Sequence, residues 1–156
     1  MATISQVIQR LQNLKGNLPE IASSSIEDTK ENFLGLNASQ LALGLDSLGN
    51  ETSLDGSMEY QPQTIQHKKK YGVGLGAVTD RITLFDTGAM YESETLEMSG
   101  DTISLAFNTD YAEEVLTRTG TQVLGLNSEN KTSYAFGAFF EAMRPKVEEI
   151  IQLPLQ

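Results

Sequence analysis

Residues able to do chemistry are few in this chain, and they cluster between His67 and Gly88. Asp86-Thr87-Gly88 has the composition of the catalytic turn of retroviral-type aspartic proteases. In such a dimer, two copies of the carboxylate share one proton. That chemistry needs a mostly β setting that buries the turn. Here the triplet leads into Ala89-Met90-Tyr91-Glu92-Ser93, which reads as the start of a short helix. The structural reading of the same residues is therefore stronger. Asp86 or Thr87 caps the helix by accepting a backbone N–H, Gly88 supplies an unusual backbone angle or a close approach, and Leu84 and Met90 anchor the junction in the core.

His67 is the single histidine, and cysteine is absent. A thiolate metal site and a disulfide framework are thereby excluded, and a Ser-His-Asp arrangement would have to use His67, which lies among lysines. No serine sits in a nucleophile elbow. Lys68, Lys69 and Lys70 fall at the end of a predicted helix, where the helix dipole favours positive charge. With Tyr71, Gly72 and Gly74 they form a candidate interface. Gly72, Gly74 and Gly76 miss the spacing of a dinucleotide-binding loop, because Gly76 comes one residue early. A mobile surface loop is expected there. Glu113-Glu114 and Glu148-Glu149 are helical neighbours that diverge, and residues 46–55 lack the ligand rhythm of a calcium loop. Neither a metal nor a cofactor is expected.

These residues must be positioned by one domain of 156 residues, long enough to bury about two-thirds of its unfolded surface. Its 39% hydrophobic and 21% charged content fits a globular fold. No apolar run nears the ~20 residues of a membrane span, and the N-terminus lacks the order of a secretory signal. A net charge of −10 disfavours free nucleic acid as a partner.

Ile4, Val7, Ile8, Leu11 and Leu14 predict an amphipathic helix over residues 3–15. Gly16 ends it, and a second helix follows, with Asn17 as cap and Pro19 in its first turn. Asn37 to Gln40 has capping-box spacing, with Leu36 and Leu41 as a hydrophobic staple, for a short helix that stops at Gly44. Residues 45–61 read as loop, with a short strand near Leu45. Pro62 to Tyr71 reads as a helix. Leu96 and Met98, then Ile103, Leu105 and Phe107, alternate as a β-hairpin across a turn at Gly100-Asp101. Tyr111 to Arg118 is a predicted helix closed by Gly120. Val123 and Leu124 are a candidate third strand, and residues 125–130 a turn. Phe136, Phe139, Phe140, Met143, Val147, Ile150 and Ile151 mark one face of a long helix over residues 132–152, kinked or divided near Arg144 by Pro145. The expected class is α+β: N-terminal helices, a small antiparallel sheet with a hairpin, and a long C-terminal helix, with mobile loops near 45–62 and 71–81.

The order of short motifs resembles the neck and tail-completion proteins of tailed bacteriophages. Gln40-Leu41, Gly44-Leu45-Asp46, Tyr60, Thr64 and Lys68 come first. Ile82-Thr83-Leu84-Phe85-Asp86-Thr87-Gly88, the hairpin, Asp110-Tyr111-Ala112, Thr119-Gly120 and Gly125-Leu126 follow, so the resemblance covers roughly residues 40–152. Two departures stand out. Thr117-Arg118-Thr119 precedes Gly120 where many members carry His or Gln, and Leu124-Gly125-Leu126 replaces their Pro-Arg step. The resemblance implies a non-enzymatic virion part, assembled in the host cytoplasm. It would be a ring, sixfold by expectation, that joins the head-side connector to the tail tube. Genomic DNA would pass through the ring without specific binding, and no membrane is involved. A tail terminator capping the tube is the nearest rival; an unrelated binding module or toxin-like protein and the dimeric protease are others.

Overall fold

A computed structural model of the chain describes residues 3–99 and 102–152. The expected hairpin turn at Gly100-Asp101 lies outside these residues. The architecture is α+β. Helix α1 spans Ile4–Asp28, α2 Lys30–Ala42 and α3 Pro62–Tyr71; α4 is the single turn Ala89–Glu92. Strands β1 (Glu94–Ser99) and β2 (Thr102–Phe107) pair antiparallel, with Glu94 opposite Phe107 and Ser99 opposite Thr102. Then come α5 (Ala112–Thr119), α6 (Ser128–Tyr134), a π-helical turn (Ala135–Phe139) and α7 (Phe140–Gln152).

Helix α1 is one continuous element, so Gly16 does not stop it and Asn17 starts nothing. Its start is a full capping box: Gln6 N donates to Thr3 Oγ1 (3.3 Å) and Thr3 N donates to Gln6 Oε1 (2.8 Å). Pro19 forfeits one backbone bond, and a proline inside a helix costs about 3 kcal/mol. The helix survives because its second half packs along α7. Ile21, Ser25 and Ile26 are buried there, and Lys146 Nζ bonds Ser24 Oγ (2.8 Å) and Asp28 Oδ2 (2.6 Å).

Asn37 is likewise no cap. It lies inside α2, fully buried, and its amide donates to Glu94 Oε1 on β1 at 2.5 Å. Tertiary burial overrides the local signal at both places. Gln40 is the second buried polar anchor of α2. Its Nε2 donates to the Gly125 carbonyl (3.1 Å) and its Oε1 accepts from Asn127 N (2.7 Å), which pins the start of α6. Asn127 then caps that helix by accepting from Asn130 N at 2.9 Å. Residues 128–130, expected as turn, are therefore helical.

The candidate third strand at Val123 and Leu124 is absent among the described residues. Thr121–Val123 form a 3-10 turn that buries Val123, and the sheet keeps two strands. Pro145 lies inside an unbroken α7. The irregularity falls ten residues upstream, at the π-helical turn that begins with Ala135. A wider turn shifts the phase of the side chains around the helix. Phe139 stacks on Tyr134, whereas Phe136 is 77% exposed and Phe140 47% exposed. The single aromatic face read from the sequence is thus split in two.

Two apolar clusters make the core. Ile26, Phe33, Leu96, Leu126 and Tyr134 join the helical layer to the hairpin. Leu41, Met90, Phe107, Ala112 and Val123 join the hairpin to α4 and α5. Residues 45–61 are stitched to the second cluster's surroundings: Ser47 N donates to Gln122 O (2.7 Å), Asp55 N to Arg118 O (2.9 Å), and the Arg118 guanidinium pairs with Asp55 at 3.0 Å. A bridge between Leu45 and Glu51 stands where a short strand was expected.

Candidate functional site

A cavity of about 780 Å³ opens between α3, the 84–88 junction and α5. Its position follows from how the junction is built. Tyr60 Oη accepts from Thr83 N (3.0 Å), and the Tyr91 hydroxyl donates to the Thr83 carbonyl. Burial pushes the Tyr91 hydroxyl well above the ordinary phenol range, so it stays a donor. Between these two tyrosines Leu84 takes a left-handed backbone (φ +55°), a costly conformation for a branched residue, and Gly88 follows at φ +95°. At the junction Met90 is buried, Leu84 packs on the second cluster, and Gly88 adopts the left-handed angle. Gly88 is the N-cap residue of α4, so no side chain caps the helix, but Thr87 Oγ1 accepts from Ala89 N at 3.4 Å. Asp86 does not. Its carboxylate is exposed and lies 3.9 Å from His67 Nε2 across the cavity mouth.

Lys68 departs most from its expected place. It is 2% exposed, so it is no part of an outer surface. Its ammonium donates to the carbonyls of Phe85 (2.5 Å) and Gly76 (3.2 Å) and lies 4.8 Å from the centre of the Tyr60 ring. A buried cation satisfied in this way is a structural rivet between α3, the glycine segment and the junction. Lys69, Lys70 and Tyr71 remain exposed, with Lys70 Nζ over the Tyr71 ring. Gly72 precedes a 3-10 turn, Gly74–Ala77, which Gly74 opens. Gly76 in that turn is buried, and a Cβ there would sit 2.6 Å from the Asp86 carbonyl oxygen. The expected surface loop is therefore packed at its centre. No sequence pattern signals Lys68's role, because its carbonyl partners are set by tertiary approach.

Leu54, Leu84, Met90 and Val115 give the cavity an apolar floor; Gln63, His67, Asp86 and Arg118 give it a polar rim. Arg118 is held by Asp55 and, more distantly, Glu114 at 4.0 Å. Among the described residues no group of three His, Asp or Glu side chains could hold a metal ion, and no helix is long and apolar enough to cross a membrane. Comparison with family models, curated proteins and solved structures gave no match. The arrangement can bind apolar side chains behind a mixed-charge rim. Asp86 is exposed and lies outside the two-stranded sheet.

A second surface stands apart from the cavity. On the N-terminal half of α1, Ile4 is 81% exposed and Leu11 57% exposed, with Val7 and Ile8 exposed beside them. The amphipathic stripe read from the sequence exists, and within the described residues it faces solvent.

Proposed function

We propose that this chain is a structural subunit of the head–tail junction of a tailed bacteriophage, a non-enzymatic protein that forms a ring between the connector and the tail tube. The motif order across residues 40–152 is one support. The observation that carries the reading is the bare apolar stripe of Ile4, Val7, Ile8 and Leu11 on α1. Such a stripe is what an assembly subunit presents before its neighbours cover it, because a helix face of this width gains its stability from a partner. The internal rivets of the junction suit a rigid mount whose work is contact. The net charge of −10 suits a passage from which the phosphate backbone is repelled, so that genomic DNA slides without sticking.

Imaging of particles from a phage that encodes the chain tests this directly. The expected result is a ring of copies at the portal-to-tube passage, with carboxylates on its inner wall. Particles with no copies there would overturn the proposal. Copies found only at the far end of the tube cap would replace it with the terminator reading.

A further inference from the structure

A polar contact sits at the seam between the two apolar clusters. Asn37 lies one helical turn from Phe33 of the first cluster and one from Leu41 of the second, on one face of α2. Its partner Glu94 opens β1, on the same strand as Leu96 of the first cluster and opposite Phe107 of the second. Asn37 is fully buried, and Glu94 is buried too. The hairpin is held to the body mainly through β1, because β2 buries only Phe107. Two needs meet at this seam. None of the ion pairs among the described residues involves Glu94, so a carboxylate there is buried without a cation. Asn37 Oδ1 is buried with no donor among the described residues, a costly state for an amide oxygen. One proton on Glu94 answers both. We propose that this proton fastens the hairpin to α2: protonated Glu94 and Asn37 close an acid–amide pair of two hydrogen bonds, and loss of the proton opens the pair and loosens the hairpin. The inference does not use the ring reading.

In the closed pair Glu94 Oε1 accepts from Asn37 Nδ2, at 2.5 Å, and the acid hydroxyl donates to Asn37 Oδ1. Ionisation sends the proton to solvent. The second bond is then gone, and a charge is left between two apolar clusters, which only hydration can relieve. Water reaches the carboxylate when the hairpin lifts from α2. The groups around Glu94 leave this equilibrium to Glu94 itself. Asn37 on α2 is neutral, and Phe107 across the hairpin is apolar. Tyr91 on α4 keeps its proton, because burial holds its hydroxyl well above the ordinary phenol range. Burial pushes the Glu94 carboxyl up to about 7 from the ordinary 4.5, and the bond from Asn37 pulls the other way. The hairpin is therefore fastened in mild acid and loosened as pH rises through neutrality. The packing of α1 along α7 does not involve Glu94 and supplies an internal reference.

The test reads the proton and the hairpin separately, on the full chain. Carbon-13 NMR of the side-chain carboxyls, with Glu94 identified by its loss in Glu94→Gln, follows the titration of this one group. It should titrate near neutrality. Titration at the ordinary value of a free glutamate would overturn the proposal. Amide hydrogen exchange, corrected for the intrinsic dependence on pH, follows the hairpin against α7. Between about pH 5.5 and about pH 8, protection of the β1 and β2 amides should fall by roughly tenfold or more relative to α7, the size that a carboxyl raised by more than one pKa unit supplies. Glu94→Gln keeps one acceptor and gains a permanent donor, so it stands for the protonated acid and should hold its hairpin protection level across the window. Hairpin protection that falls equally in native chain and Glu94→Gln, or that does not change in the native chain, would also overturn the proposal. Should Glu94→Gln fail to fold, Glu94→Asp identifies the resonance instead, and the native titration and exchange decide on their own.

Discussion

The junction around Leu84 and the outer half of α1 are opposites. At the junction almost every polar group is answered from within the chain: Lys68 by two carbonyls, Thr83 by two tyrosines, Ala89 N by Thr87. On α1 the apolar side chains of Ile4, Val7, Ile8 and Leu11 meet no covering element among the described residues. One region spends its chemistry on holding shape, and the other keeps its surface for something outside. Substitutions should separate the two. At the junction they should cost stability, and on the arm they should cost association alone.

Removing the rivet should have the largest effect. Lys68→Ala leaves the carbonyls of Gly76 and Phe85 buried without their donor and empties the space against Tyr60. The loss should be about 3 kcal/mol in chemical denaturation, the sum of unmade hydrogen bonds and a cavity. Lys68→Met keeps the stem and should lose less, about 2 kcal/mol. A variant of native stability would show that the ammonium is dispensable and that the junction is held by packing alone. Gly76→Ala follows at about 2 kcal/mol, because the new methyl meets backbone, which does not yield as a side chain does. A neutral result there would mean the 3-10 turn shifts freely.

Much of this contrast is visible in the chain before folding, and the boundary between what is visible and what is not has a physical cause. Local periodicity and punctuation place Pro62–Tyr71, the hairpin, the helix before Gly120 and the left-handed Gly88. The apolar stripe of α1 is also plain from spacing, but its exposure is not. What fails are signals that tertiary contact overrides. Gly16, Asn17 and Pro19 read as a helix break until α7 packs on the second half of α1, and Asn37 reads as a cap until Glu94 arrives from residues far along the chain. Lys68 reads as a surface charge for the same reason. In the candidate site, Leu84, Asp86, Thr87 and Gly88 were legible as a unit, whereas the floor residues Leu54 and Val115 come from segments whose approach no local pattern encodes.

Glu94 tests the polar side of the comparison away from the cavity. It is 7% exposed, and burial pushes its carboxyl up to about 7 from the ordinary 4.5, against the opposing pull of the Asn37 amide. Asn37 Oδ1 has no donor among the described residues, and a protonated Glu94 could supply one. Between those two pH values the folded chain holds a proton that the unfolded chain has released. Stability contributed by this group is therefore fully present below about 4.5 and is lost as pH rises through about 7. The drop should be on the order of 1–3 kcal/mol. Glu94→Gln, which accepts from Asn37 and also donates to it, should flatten that slope and exceed the native chain in stability above pH 7. Parallel slopes for the two proteins across this window would place the pH dependence elsewhere.

The arm should give the smallest change in stability and the clearest change in behaviour. Ile8→Glu and Leu11→Asp lie on exposed positions of a helix, where substitutions stay within about 0.5 kcal/mol. Denaturation of either variant should therefore track the native chain, whereas Lys68→Ala should not. If the stripe were instead part of the protein's own stabilising surface, the loss would approach the roughly 1.5–3 kcal/mol of a buried aliphatic side chain. The two outcomes differ several-fold, so one pair of denaturation curves decides whether the face of α1 belongs to the fold or to what the fold is made to meet.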